Sequence, residues 1–301
     1  MNVSKTFTLA SSSFRISVPE ELAVETILRQ YSPFEGEGDK LLTSLEFKTT
    51  GDFLAFKAPF RFTRYNEEAP YLWLALEPVA QETKVVAGFS NTKLAPQGLF
   101  LPSLDFSQAE IVVPGNVDRF LASFVINNSA MIAYSYTVSR FKTLLIHASL
   151  VVKDGKAYAF LGRSGTGKST HARLWLENLP GARLLNDDNP VIYIKEGRVF
   201  ASGSPWSGKT PCYINEEYPL VGIVRLNQAP QNKIVRLGSL QSYAALLPSC
   251  SCMKWDSRQS KAVSDTVMEV VSEVPVWHLD CLPDADAAHL CYETISNASK
   301  K

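Results

Sequence analysis

Nine consecutive residues, GRSGTGKST, could bind the phosphates of a nucleotide. They match Gly-x-x-x-x-Gly-Lys-Ser/Thr, the P-loop or Walker A pattern. Glycine lets successive backbone N–H groups turn toward phosphate oxygens, and Lys168 adds a positive charge for the β- and γ-phosphates. The hydroxyl of Ser169 is a typical Mg²⁺ ligand in this pattern. The predicted nucleotide-binding residues are Gly162, Arg163, Ser164, Gly165, Thr166, Gly167, Lys168, Ser169 and Thr170.

The flanking segments support a phosphate site. The apolar run AYAFL precedes the loop as a predicted strand, and HARLWLENL follows it as a predicted amphipathic helix. The N-terminus of such a helix presents free N–H groups and the positive end of the helix dipole to an anion. This order of strand, loop and helix favours a nucleotide-phosphate site over the alternative, a glycine-rich turn without a ligand.

A second segment, GSPWSGKT at 203–210, matches the same pattern. Pro205 has no backbone N–H, Trp206 is too bulky for a position against a phosphate, and no helix is predicted to follow. We interpret the segment as a loop in which Trp206 and Lys209 line the pocket. A plain surface turn is the open alternative.

Two adjacent carboxylates, Asp187 and Asp188, follow the short predicted strand RLLN. Like charges repel, but a bound Mg²⁺ would neutralise one of them. One carboxylate could then hold the metal, while the other orients or deprotonates an attacking hydroxyl. The alternative is a simple turn, because Asp-Asp-Asn-Pro has the composition of one.

Short strands surround these residues. LLIHASLVV and AYAFL are predicted to form a hairpin through Asp154-Gly155, and a second hairpin is predicted around Glu196-Gly197. We therefore predict a mixed, largely antiparallel sheet that carries the P-loop, unlike the parallel sheets of most P-loop proteins. Helices are predicted at about 118–141, 168–179, 238–247, 257–271 and 284–297.

The N-terminal part has a different pattern. Residues 1–112 contain period-two stretches of aromatic and β-branched residues, interrupted by one predicted helix at about 19–31. This pattern predicts an antiparallel α+β accessory domain over residues 1–140, followed by a nucleotide-binding domain over residues 141–301. The predicted fold class is α/β with α+β character. We find no chemical motif in the first domain.

Composition limits the classes of function. The chain has 301 residues, 46% of them apolar, with 30 basic and 30 acidic side chains. A net charge of zero argues against a nucleic-acid-binding surface. The N-terminus lacks the apolar block of a signal peptide, and Asn127 and Asn128 interrupt the most apolar predicted helix. We therefore expect a cytoplasmic protein without a membrane partner, and its five cysteines are expected to be reduced thiols.

The segment IHASLVVKDGKAYAFLGRSGTGKSTHARLWL, continued by RLLNDDNPVIY, resembles the nucleotide-binding core shared by HPr kinase/phosphorylase and ATP-dependent phosphoenolpyruvate carboxykinase. The resemblance spans about residues 143–202 and implies a PEP carboxykinase-like P-loop core. It implies that Lys168 binds phosphate, that Ser169 and Asp188 hold Mg²⁺, and that Asp187 is the catalytic acid/base. His147 falls where the kinase members carry a histidine near the transferred phosphate, although a histidine on an apolar strand is more often a core residue.

The chain also departs from both relatives. Arg163 stands where the kinase/phosphorylase usually has an acidic residue, and the metal-binding lysine and histidine of the carboxykinase have no counterpart here. We expect an ATP- and Mg²⁺-dependent kinase that acts on a hydroxyl of a protein or peptide serine or of a small molecule. Arg163 or Lys209 could stabilise the transferred group. The alternatives are an ATP-binding sensor or scaffold without turnover and a PEP carboxykinase-like enzyme; the oligomeric state stays open.

Overall fold

The computed structural model describes residues 1–38, 40–65, 69, 71–79, 82–92, 94–208 and 210–298. The chain divides into two compact units, Met1–Val138 and Ser139–Lys301. Each unit contains its own mixed β-sheet with helices, so the fold has α+β character.

Within the described residues, the first unit has an eight-stranded sheet in the order β1-β2-β3-β8-β7-β6-β5-β4. Its strands are β1 Asn2–Leu9, β2 Ser12–Pro19, β3 Leu41–Thr50, β4 Thr63–Arg64, β5 Leu72–Val79, β6 Glu82–Phe89, β7 Gly98–Pro102 and β8 Gln108–Pro114. Its helices are α1 Val24–Ile27, α2 Phe53–Lys57 and α3 Arg119–Val138. Across the described part of the chain, no helix combines the length and the apolar character needed to cross a membrane.

The first unit differs from the predicted antiparallel domain. Strand β3 pairs in parallel with both β2 and β8, so the sheet is mixed. The connection through α1 returns the chain to the starting end of β2, and β3 therefore runs in the same direction as β2. The predicted helix at 19–31 is also wrong as one element, because Ala23 takes a left-handed conformation with φ of 52°. Short 3₁₀ turns, Glu20–Leu22 and Arg29–Phe34, flank α1 instead.

The second unit carries the sequence motifs on a nine-stranded sheet, counted over its described residues. Its strands are β9 Thr143–Leu145, β10 Ala148–Lys153, β11 Lys156–Leu161, β12 Arg183–Asn186, β13 Val191–Lys195, β14 Arg198–Ser202, β15 Glu217–Gln228, β16 Lys233–Arg236 and β17 Val276–Cys281. Its helices are α4 Lys168–Asn178, α5 Ser239–Leu246, α6 Ser257–Glu273 and α7 Ala285–Ala298. Strand β15 pairs in parallel with β11 and β17, and the other pairings among the described strands are antiparallel.

The turn chemistry of this unit explains its hairpins. Asp154 and Gly155 have φ of 52° and 70°, and they connect β10 to β11. A two-residue turn with both central residues in the left-handed region matches the twist of an antiparallel pair. Glu196 and Gly197, with φ of 52° and 72°, connect β13 to β14 in the same way.

Both faces of the central strands are buried, which fixes the end of β11. On one face, Leu150, Ala159 and Leu161 lie in the core cluster to which α6 contributes. On the other face, Tyr158 and Phe160 pack with Trp175 of α4. Because alternate residues of a strand point to opposite faces, β11 is held from both sides. The loop that follows Leu161 therefore starts from a rigid point.

Candidate functional site

The GRSGTGKST loop connects the end of β11 to the first residue of α4. Gly165 and Gly167 have φ of 82° and 100°, a region that favours glycine. The loop also closes on itself, because the backbone N–H and the hydroxyl of Thr166 donate to the carbonyl of Arg163 at 3.1 and 2.7 Å. This geometry brings the loop directly to the N-terminus of α4, as an anion site of this type requires.

The ammonium group of Lys168 folds back over this loop. The residue is 7% exposed, and Nζ donates to the carbonyl of Gly162 at 2.9 Å. Burial lowers the pKa of Lys168, and the negative charges of Asp188 and Asp187 oppose this shift. Both carboxylates therefore lie close enough to the lysine to act on its charge.

His147 lies between Lys168 and Asp188. Its Nε2 is 2.9 Å from Nζ of Lys168, and its Nδ1 is 3.0 Å from Oδ1 of Asp188. An ammonium group only donates, so Nε2 accepts and the ring proton is assigned to Nδ1, which donates to Asp188. The side chain is 44% exposed, so His147 is not the buried core residue of the alternative interpretation.

The carboxylate of Asp187 is held by two hydroxyl groups. Its Oδ1 accepts from Ser149 at 2.7 Å, and its Oδ2 accepts from Thr210 at 2.9 Å. The residue is 8% exposed, and it lines a cavity of about 270 Å³ together with Ser169 and Arg173. Asp187 is therefore fixed at the wall of a space that begins at the first turn of α4.

The turn that carries both acids is organised by the residue before them. Asn186 is fully buried, and its Oδ1 accepts the backbone N–H groups of Asp188 and Asn189, both at 2.9 Å. Its Nδ2 donates to Oγ of Ser204 at 3.1 Å. The segment is thus a turn, as its composition indicates, and the same turn directs the two carboxylates toward Lys168.

The second glycine-lysine segment forms a loop against this turn. Trp206 is 6% exposed, and its carbonyl accepts the N–H of Asn189 at 3.1 Å. A Cβ at Gly208 would lie 3.1 Å from Cβ of Asp188, and one at Gly203 would lie 2.0 Å from the carbonyl oxygen of Ile214. Trp206 thus supports the acidic turn through its backbone. Lys209, the other predicted pocket residue, lies outside the described residues.

The structure joins some predicted residues and separates others. Lys168, His147 and Asp188 form one contact chain, whereas Ser169 shares a cavity with Asp187. No contact among the described residues joins Ser169 directly to Asp188. Arg163 is exposed and contributes its backbone carbonyl to the loop.

Three supporting residues were missed by the sequence reasoning: Ser149, Asn186 and Thr210. Ser149 had a signal, because it lies two residues after His147 and alternate residues of an extended segment share a face. Thr210 had none, since its contact with Asp187 depends on a distant loop.

The oxygen donors at this site fit Mg²⁺. The ion prefers hard oxygen ligands. In proteins it is commonly held by one or two carboxylates, and phosphate oxygens and water molecules complete its coordination. Asp188 offers such a carboxylate. Its Oδ1 accepts a hydrogen bond from Nδ1 of His147, and its Oδ2 accepts one from Nδ2 of Asn189. Ser169 is exposed at the start of α4 and offers a hydroxyl. The residues present could therefore complete the coordination of a metal that arrives with phosphate.

Comparisons with known proteins give one family. No curated protein matches the chain. Among solved structures it is similar to the HPr(Ser) kinase/phosphatase from Coxiella burnetii, with 12% identity, a TM-score of 0.31, and coverage of 52% of this chain and 95% of that chain. A family model described as SynChlorMet cassette protein ScmC matches residues 115–282, which is more than half of the chain and includes every residue of the site. The chain therefore belongs to the family of SynChlorMet cassette protein ScmC.

Proposed function

We propose that the protein is an ATP- and Mg²⁺-dependent phosphotransferase that transfers a phosphoryl group to a hydroxyl. The observation that carries this proposal is the contact chain from Asp188 through His147 to Lys168. It places an acidic pair at the lysine of a glycine loop that precedes a helix N-terminus. This combination suits phosphoryl transfer, because catalysis of that reaction depends on positioning and on compensation of charge.

In this proposal, each part of the site has a separate role. The loop N–H groups and Lys168 bind the β- and γ-phosphates. Ser169 and Asp188 hold Mg²⁺, which supplies positive charge to the phosphate oxygens. The site belongs to a PEP carboxykinase-like P-loop core, and the first unit is an accessory domain.

Asp187 would act on the acceptor. An acceptor hydroxyl in the 270 Å³ cavity lies beside its carboxylate. The hydroxyl oxygen forms a bond to the γ-phosphorus, the bond to the β–γ bridging oxygen breaks, and the hydroxyl proton passes to Asp187 while ADP leaves. His147 positions Lys168 and Asp188 relative to each other. A cavity of this size admits a serine side chain of a peptide or a small alcohol.

The test is nucleotide turnover by the full chain. Mg·ATP binding would be measured by calorimetry, and ADP release would be followed with water alone, with a library of serine-containing peptides and with a panel of small alcohols. The proposal expects binding and an increase of ADP release with at least one acceptor class. Binding without turnover on any acceptor would instead favour a nucleotide sensor.

A further inference from the structure

A second cavity, of about 290 Å³, borders the phosphate loop. Helix α4 lines it with Thr170, His171 and Leu174, whereas Ser169 and Arg173 line the 270 Å³ cavity beside Asp187. With 3.6 residues per turn, these two sets lie on different faces of the helix. Thr170 borders both cavities. The second cavity therefore continues from the loop in a direction away from the acidic pair.

The walls of this cavity, which we name the 290 Å³ cavity, are mainly apolar. They include Leu174 of α4, Leu226 of β15, and Leu282 and Pro283 after β17. The polar edge is Gln228, whose Nε2 lies 3.3 Å from the carbonyl oxygen of Gly165 and 3.4 Å from that of Thr166. The same side chain thus lines the cavity and holds the phosphate loop from outside.

The outer wall is held in place by hydrogen bonds. Oδ1 of Asn232 accepts the N–H of Leu282 at 2.8 Å, and its Nδ2 donates to Asp284 at 2.9 Å. The N–H of Ala229 donates to the carbonyl of Cys281 at 3.2 Å. The cavity is therefore preformed, which lowers the conformational cost of binding a ligand there.

His171 lines this cavity and carries a buried, unsatisfied donor. It is 2% exposed, and its Nε2 accepts from the indole N–H of Trp175 at 3.1 Å. An indole nitrogen only donates, so the ring proton of the neutral imidazole lies on Nδ1. Within the described part of the chain, this buried Nδ1 has no hydrogen-bond partner.

We propose that the 290 Å³ cavity binds the nucleoside part of the nucleoside triphosphate. This inference rests on the proposed function, which places the transferred phosphoryl group at Lys168 and the two acids. The remainder of the nucleotide must then leave the loop on the side of Gly167 and Thr170, where this cavity begins. A flat base suits the apolar walls, and the polar groups of base and ribose suit the polar edge at Gln228.

The experiment compares two magnesium-bound probes on the full chain: a nucleoside triphosphate and inorganic tripolyphosphate, which has the phosphates without the nucleoside. Affinities are measured by calorimetry for the wild type, for Ala229→Trp, which fills the cavity, and for Leu282→Ala, which removes part of its wall. Leu240→Trp is the matched control, because Leu240 is 81% exposed on α5. Thermal unfolding confirms that each variant is folded.

We expect the best nucleoside triphosphate to bind the wild type at least about tenfold more tightly than tripolyphosphate. Ala229→Trp and Leu282→Ala should reduce or abolish that preference and leave tripolyphosphate affinity unchanged, while Leu240→Trp keeps both values. Equal affinity of the wild type for the two probes, or an unchanged preference in both cavity variants, would overturn the nucleoside site and leave the phosphate site in place. If neither probe binds, the proposed function is overturned and this inference with it.

Discussion

The imidazole of His147 bridges Asp188 and Lys168, with contacts of 3.0 and 2.9 Å through its two nitrogens. This bridge relates a carboxylate in the turn after β12 to an ammonium group on the first residue of α4. A direct ion pair would occupy the groups that the proposed function assigns to phosphate and metal, and the imidazole keeps these two groups apart.

Removal of the bridge should therefore slow turnover. We expect His147→Ala to lower kcat by about 10- to 100-fold, since small errors in position are costly in catalysis. The KM for Mg·ATP should change much less. His147→Gln, which keeps one acceptor and one donor, should recover part of the rate. Steady-state kinetics with Mg·ATP give both constants, and a wild-type kcat for His147→Ala would contradict the positioning role.

Substitution of Lys168 should mainly weaken the binding of Mg·ATP. Lys168→Ala removes a buried charged donor, and we expect the Kd for Mg·ATP to rise by roughly 10- to 100-fold. Lys168→Arg should not restore binding, because a planar guanidinium does not fit a site that is 7% exposed. Lys195→Ala, at an exposed position at the end of β13, is the matched control. Calorimetry checks the series, and nucleotide binding equal to wild type in Lys168→Ala would exclude this loop as the phosphate site.

Loss of the proposed base should affect transfer alone. Asp187→Asn keeps the shape of the side chain and an oxygen that accepts from Ser149 or Thr210, but it removes the proton acceptor. We expect transfer to fall by about 10²- to 10⁴-fold, with Mg·ATP affinity within about threefold of wild type. Single-turnover transfer and calorimetry measure the two quantities separately. Transfer at the wild-type rate would show that Asp187 is not the base.

Asn186 should matter for both stability and activity. Asn186→Ala leaves the N–H of Asp188 without its acceptor, whereas the N–H of Asn189 keeps the carbonyl of Trp206. We expect a loss of about 1–3 kcal/mol in the free energy of unfolding. The acids also lose their orientation, so kcat should fall in the variant that is still folded. Ser204→Ala removes a hydroxyl that also bonds the carbonyl of Asn189 and the N–H of Trp206, so it should destabilise the turn as well, but it leaves the N–H of Asp188 bonded to Asn186. Urea unfolding and kinetics at a temperature where both variants are folded provide the comparison.

The buried imidazole of His171 should make stability depend on pH. Burial lowers its pKa from 6.5 to about 4. Between these values the unfolded chain binds more protons than the folded one, so folding is favoured above pH 6.5 and His171 reduces stability as the pH falls toward 4. We expect the His171 contribution to the free energy of unfolding to drop by about 1 kcal/mol by pH 5.5. His171→Gln, which keeps an acceptor for Trp175, should lose this part of the pH dependence in urea unfolding. Parallel pH profiles for wild type and variant would contradict the assignment.

The second unit shows what a sequence can and cannot indicate. The hairpins at Asp154-Gly155 and Glu196-Gly197 were predictable, because each turn has a local chemical signature. Helix α4 and strand β12 were predictable from periodicity and from their flanking turns. The parallel pairing of β15 with β11 and β17 was not, since pairing between distant segments leaves no local pattern. The same reason explains the parallel neighbours of β3 in the first unit.

The residues of the candidate site also fall into those that the sequence indicates and those that it does not. Lys168, Asp187 and Asp188 belong to recognisable patterns, and the structure brings them together with His147. Of the two hydroxyl groups that hold Asp187, that of Thr210 had no such pattern, because threonine is common and hydrogen-bonds in many contexts. Its role depends on where the loop after β14 lies, which is a property of the fold rather than of any short segment.

Gly203 and Gly208 give the segment 203–210 its match to the glycine-lysine pattern, but both are there for close packing. Gly203 passes so close to another backbone, and Gly208 so close to Asp188, that neither position has room for a methyl group without movement. The glycines of the segment 162–170 lie beside the N-terminus of α4, where a ligand could approach. The glycines of the segment 203–210 instead allow other parts of the protein to pack closely, including Asp188. The same sequence pattern thus meets two unrelated steric demands, and a pattern match alone does not distinguish them.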